Sequence, residues 1–169
     1  MWFETWEKTP GVVIHKQDRV CPGVTFYTDC RASAFLVDMQ GHVLLQWHKL
    51  FYVVWPLPAH VTSYLPKSLD EMIYWRKARL FPNGDVLVIF EGSITPFGSG
   101  LIKLDADSNL IWKTGINTHH DLDIDWQGNN FVLTHKYNTK LANRRIDDYL
   151  TVLSPGGKVL REISLLEAF

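Results

Sequence analysis

One pattern recurs five times along the chain: an apolar run, a tight turn built around Gly or Asn, and a second apolar run. The copies occupy residues 35–45, 79–89, 101–112, 123–133 and 150–160. A short hairpin turn needs a residue at positive φ, which Gly adopts at no steric cost and Asn adopts more readily than most. Gly41, Gly84, Asn109, Gly128 and Gly157 are therefore the expected turn residues. In the third copy Leu101, Lys103 and Asp105 alternate with Ile102 and Leu104, the period of two of a half-buried strand.

The hairpins alternate between two kinds. Those at Gly41, Asn109 and Gly157 follow an acidic or small polar residue, whereas Pro82-Asn83 and Trp126-Gln127 precede Gly84 and Gly128. Like turns lie 44 residues apart (Gly84 to Gly128) and 48 apart (Asn109 to Gly157). Two hairpins per period make four strands, the size and content of one β-propeller blade. The spacing predicts an all-β chain, a single partial propeller domain over 1–169 made of four-stranded antiparallel sheets. An outer hairpin of a first blade falls at 23–48, a connection at 49–72, and whole blades at 73–115 and 116–163, about two and a half blades in all. Pro56, Pro58 and Pro66 interrupt any ladder in the connection, and a short helix is expected around 68–74. A second insertion is expected at 137–145. A propeller closes with about four or more blades, so this chain is expected to be a piece of a longer protein. The alternative is self-association of copies through their open blade edges.

Composition removes several classes of function. The net charge is -1 and the pI is near 6.6, so nothing pulls the chain toward nucleic acid or an anionic membrane. No apolar run is long enough for a membrane-spanning segment. The first eight residues lack the basic start and apolar stretch of a secretory signal, which predicts a cytoplasmic product if they are the true start. Cys21 and Cys30 are expected as two reduced thiols, with a small disulfide-closed loop as the alternative.

The residues Ala34-Phe35-Leu36-Val37-Asp38-Met39-Gln40-Gly41, Leu80-Phe81-Pro82-Asn83-Gly84-Asp85, Gly100-Leu101-Ile102-Lys103-Leu104-Asp105 and His119-His120-Asp121 carry a resemblance. In order and spacing, over about 23–165, the chain resembles the bacterial arylsulfotransferase-like family. The combined Gly-His…Trp-Asp signature of other propellers is missing, since the chain has no Trp-Asp pair. The resemblance implies a six-bladed propeller with its active site in the central channel. It also implies transfer of a sulfuryl group from an aryl sulfate to a phenol, without a nucleotide sulfate donor. A histidine would carry the group, with further histidines and an arginine around it. Full-length relatives are often periplasmic or membrane-anchored.

The first strand of each propeller blade lines the channel. Counting back from the Gly128 turn, His119 and His120 start such a strand. Shifting by 44 residues matches His119, His120 and Asp121 with Trp75, Arg76 and Lys77. Neighbouring blades are then expected to present Trp75, Arg76, His119 and His120 at one height. Neutral imidazole is a competent nucleophile, and either histidine fits that role. Asp121 is expected to orient a ring by accepting its N–H, Arg76 to neutralise charge on the sulfuryl oxygens, and Trp75 to stack on an aryl ring. His135 is a further candidate for the substrate-binding set, although a solvated strand end is the expected place for it. The bland alternative for the pair is one core histidine and one strand cap.

His15, His42, His48 and His60 are expected at the surface. No cofactor is expected, and no metal: adjacent strand residues point to opposite faces, so one ion is not readily shared by His119 and His120. Asp105-Ala106-Asp107-Ser108-Asn109 imitates the start of a calcium loop. Leu110 stands where Gly is required and Ile116 where Glu is, so it reads as a turn. Lys136, Lys140, Arg144 and Arg145 read as a solvated basic loop. The competing functional expectation is a non-catalytic propeller that binds a ligand or protein, for which the Tyr- and Trp-rich stretch 51–75 is suited.

Overall fold

The computed structural model describes residues 12, 14–29, 31–61, 73–92, 98–138 and 145–168. Among them eleven strands form three antiparallel sheets, each a simple meander in chain order. The first sheet holds β1 (Thr25–Thr28), β2 (Ser33–Val37) and β3 (Val43–His48). The second holds β4 (Ile73–Leu80), β5 (Val86–Gly92), β6 (Gly98–Leu104) and β7 (Leu110–Thr114). The third holds β8 (Thr118–Ile124), β9 (Asn130–Asn138), β10 (Arg145–Leu153) and β11 (Val159–Ser164). The described residues are all-β apart from one 3-10 turn and one helical turn, α1 (Phe51–Val54).

All five turns carry a residue at positive φ, and four of them are the expected glycines: Gly41, Gly84, Gly128 and Gly157. The fifth is Ser108 (φ 65), not Asn109. The cause is Asp105, whose Oδ1 accepts the N–H groups of Asp107 and Asn109 while its Oδ2 accepts the Asn109 amide. Asn109 is thereby committed as a bonding partner, one place past the left-handed residue. Asp125 holds Gln127 and Asn129 in the same way. The two kinds of hairpin therefore do not differ consistently in turn chemistry. They differ in place: Gly84 and Gly128 join the first two strands of their sheets, the others the last two.

The sheets pack face on face. Every residue of β5 is buried, which explains why Val86-Leu87-Val88-Ile89-Phe90 is apolar throughout instead of alternating. Its even-numbered residues join a core shared with the first sheet, including Ala34, Trp47, Phe51 and Trp75. Leu87 and Ile89 join a second core with Leu101, Leu122, Val132 and Leu153, shared with the third sheet. Each fully buried side chain of this size contributes about 1.5–3 kcal/mol. The outer strands tie each sheet to the next: Trp47 Nε1 donates to Gly84 O and Trp112 Nε1 to Pro155 O, both at 3.1 Å.

Several expectations need correction. The first sheet has three strands, β1 preceding the expected hairpin. Residues 68–72 of the expected helix lie outside the described residues, and Ile73 and Tyr74 begin β4. The helical turn instead falls at α1, which buries Phe51 and Val54. Of the insertion expected at 137–145, Tyr137 pairs with Ile146 and Asn138 with Arg145. Residues 139–144, which include Lys140 and Arg144, lie outside the described residues. Cys21 is an exposed thiol, and Cys30 lies outside the described residues. Among the described residues no helix is long and apolar enough to cross a membrane.

Candidate functional site

The site is built on two strand irregularities. In β8, Thr118 pairs with Thr134 and Leu122 with Val132, so His119, His120 and Asp121 together face the single residue Leu133. His120 takes the left-handed conformation, φ 56. In β4, Trp75 pairs with Phe90 and Lys77 with Ile89, which leaves Arg76 unopposed. Bulges re-aim side chains that a regular ladder would send to alternate faces. Arg76 and His120 lie 44 residues apart, the separation of Gly84 and Gly128, and β8 packs against β4, β5 and β6. Thr118 Oγ1 secures the start of β8 on Gly100 O at 2.9 Å.

The bulges gather three imidazoles. His119 and His120 meet through their Nδ1 atoms at 2.9 Å, with the rings at 83°. The His135 ring lies 5.3 Å from that of His119. His135 is 3% exposed, so it is not at a solvated strand end; β9 continues three residues beyond it as a paired strand. Burial pushes the His135 pKa down, and the neighbouring His119 adds to this against opposition from Asp148 and Glu91.

Two carboxylates serve this cluster, and neither is Asp121. Asp121 is bonded to Lys77, which holds its carboxyl below the usual range. Asp148, on β10 opposite His135, places Oδ1 3.3 Å from His119 Nε2. That contact is in ion-pair range, outside hydrogen-bond geometry. Glu91 ends β5 and is 3% exposed. It accepts the His120 backbone N–H at 3.1 Å and the Tyr74 hydroxyl at 3.3 Å, and its Oε2 lies 3.8 Å from Arg76 Nε. Burial raises the Tyr74 pKa, and the Glu91 charge adds to the rise.

Trp75 is not open to a ligand. It is 1% exposed and meets Phe90 edge-on in the first core, with centroids 6.2 Å apart. The residue before the bulge in β4 therefore faces inward, while Arg76, in the bulge, stays exposed. His60 also departs from expectation: it is half-buried, bonds Ser99 O at 2.9 Å and packs on Trp55. His15, His42 and His48 are exposed.

A cleft of about 480 Å³ lies beside Asp121, lined among others by Lys77, Arg79, Asp123, Phe131 and Leu133. Among the described residues no group of three His, Cys, Asp or Glu side chains is placed to hold a metal ion. No protein-family model and no curated protein sequence matches the chain. The chemistry must therefore be read from the corner itself. It offers an exposed imidazole, two supporting imidazoles, a half-exposed guanidinium, a buried carboxylate on the His120 backbone and an exposed one beside His119.

Proposed function

We propose that the chain forms part of a β-propeller of the arylsulfotransferase-like kind, and that the histidine corner transfers a sulfuryl group from an aryl sulfate to a phenol. The propeller reading is supported by the repeated corner geometry. Gly84 abuts Ala106 and Gly128 abuts Pro155, equivalent contacts in successive sheets. The enzyme reading is carried by one observation: bulges of adjacent sheets bring His119, His120 and Arg76 together over Glu91, with His135 alongside.

An imidazole nitrogen attacks sulfur, the aryl oxygen–sulfur bond breaks, and the phenolate leaves with the electron pair. The phenol acceptor then attacks sulfur and the nitrogen–sulfur bond breaks. Arg76 meets charge on the sulfuryl oxygens. Lys77, Phe131 and Leu133 line the adjoining cleft, which offers a charged edge and apolar surface to an aryl ring. The ligands are small molecules, an aryl sulfate and a phenol.

Phe131, Leu133 and Leu150 lie on the face of the third sheet opposite the buried Val132.

The test is p-nitrophenyl sulfate offered with phenol. Nitrophenol release by wild type, lost on alanine substitution of the histidine pair, is the expected result. A folded protein that releases none removes the enzyme reading and leaves a binding propeller.

A further inference from the structure

The contact between His119 and His120 decides which nitrogen of the corner is free to react. Resting on the sulfuryl-transfer reading, we infer that the nucleophile is His120 Nε2, and that Asp148 and His119 set its protonation through a relay.

Two ring nitrogens 2.9 Å apart share one proton. If His119 donated from Nδ1, its Nε2 would carry a lone pair. That atom is fully buried and faces the Asp148 carboxylate at 3.3 Å. A buried lone pair facing a carboxylate at that distance is repulsive. If His119 instead carries its proton on Nε2, the N–H lies within ion-pair range of Asp148, without hydrogen-bond alignment, and Nδ1 is left to accept. His120 must then donate from Nδ1, and its Nε2 holds the lone pair. Both arrangements satisfy the bond between the rings, and only the second sets an N–H rather than a lone pair beside the Asp148 carboxylate.

The same geometry disqualifies His119. One of its nitrogens is occupied by His120 and the other is buried against Asp148. His135 is buried behind it. His120 is exposed, and its Nε2 has no hydrogen bond among the described residues. The left-handed backbone of His120, anchored by its N–H on Glu91, holds the ring in register with His119.

The relay balances over a full cycle. When Nε2 bonds to sulfur, the His120 ring gains positive charge and its Nδ1 proton moves to His119 Nδ1. The resulting imidazolium lies beside Asp148, while the departing phenolate takes a proton from water. When the acceptor oxygen bonds to sulfur, the electron pair returns to His120 Nε2 and the shared proton returns from His119. The acceptor's proton goes to water. Asp148 and His119 are positioning residues, and only His120 touches the reacting atom.

Nitrogen-15 spectra of the full chain labelled in histidine test the assignment directly. The expected signature is a proton on His119 Nε2, a proton on His120 Nδ1 and a bare His120 Nε2. Incubation with p-nitrophenyl sulfate without acceptor, followed by peptide mass mapping, should place the sulfuryl group on residue 120. Asp148→Asn should lower kcat by about 10²-fold or more with KM within about twofold, and move the His120 proton to Nε2. Asp148→Glu should restore most of the rate. A sulfuryl group on His119, or a bare nitrogen found there instead, overturns the relay and leaves sulfuryl transfer standing. The expected protonation in a protein that transfers nothing upholds the relay and overturns the substrate class alone.

Discussion

Leu122→Ala tests whether the third sheet truly rests on the second. Leu122 is 5% exposed, between Leu87, Ile89 and Leu101 of the second sheet and Val132 and Leu153 of the third. Truncation removes three carbon groups, worth about 2.4 kcal/mol at about 0.8 kcal/mol each. A partly collapsed cavity adds to this, so the total is about 3 kcal/mol, within the range for buried leucines. Leu160 on β11 is 56% exposed and provides the control, with an expected effect within about 0.5 kcal/mol. With a urea slope of about 2 kcal/mol/M, Leu122→Ala should lower the unfolding midpoint by about 1.5 M. The same change loosens β8, which carries His119 and His120, and should also reduce sulfuryl transfer. Equal midpoints for the Leu122 and Leu160 variants would refute the face-to-face packing and the site built on it.

Further predictions rest on single residues. The folded pKa of His135 lies below its unfolded value, so the unfolded chain binds more protons in acid. Stability present above pH about 6.5 should decline as pH falls below it, and His135→Gln should flatten that decline in urea midpoints measured at acid and neutral pH. Gly157→Ala should cost more than Gly128→Ala in thermal unfolding. Both have φ above +80°, but an added Cβ meets Trp112 at 2.5 Å in the first case and Pro155 at 3.3 Å in the second. Glu91→Ala orphans the His120 N–H and should destabilise by about 2 kcal/mol and abolish transfer, while Glu91→Gln keeps an acceptor and should recover most of the stability.

Much of the strand framework was legible because its signals are short-range. Positive φ at Gly84 and Gly128 is a demand of the turn itself, whereas the alternation in 101–105 read as a half-buried strand and β6 instead buries Leu101 in one core and Ile102 and Leu104 in the other. The left-handed residue at 108 was misplaced by one position because the Asp105 side chain, not the asparagine after it, organises that turn. Trp75 matched His119 in sequence alignment, yet lies in the first core rather than in the cluster. Asp121 looked like a partner for its neighbours, yet Lys77 of the adjacent sheet captures it.

The sequence alone was enough to determine the five-hairpin periodicity in outline, the place of four turn glycines and the position of His119 and His120 near the start of a strand. Each depends on dihedral preference and side-chain alternation within a few residues. Only the tertiary structure decided that Glu91 and Asp148 support the pair, that His135 is buried beside it, and that the two histidines bond through Nδ1. A bulge arises from the pairing of one strand against another, so the direction in which it turns a side chain is not written in either strand by itself.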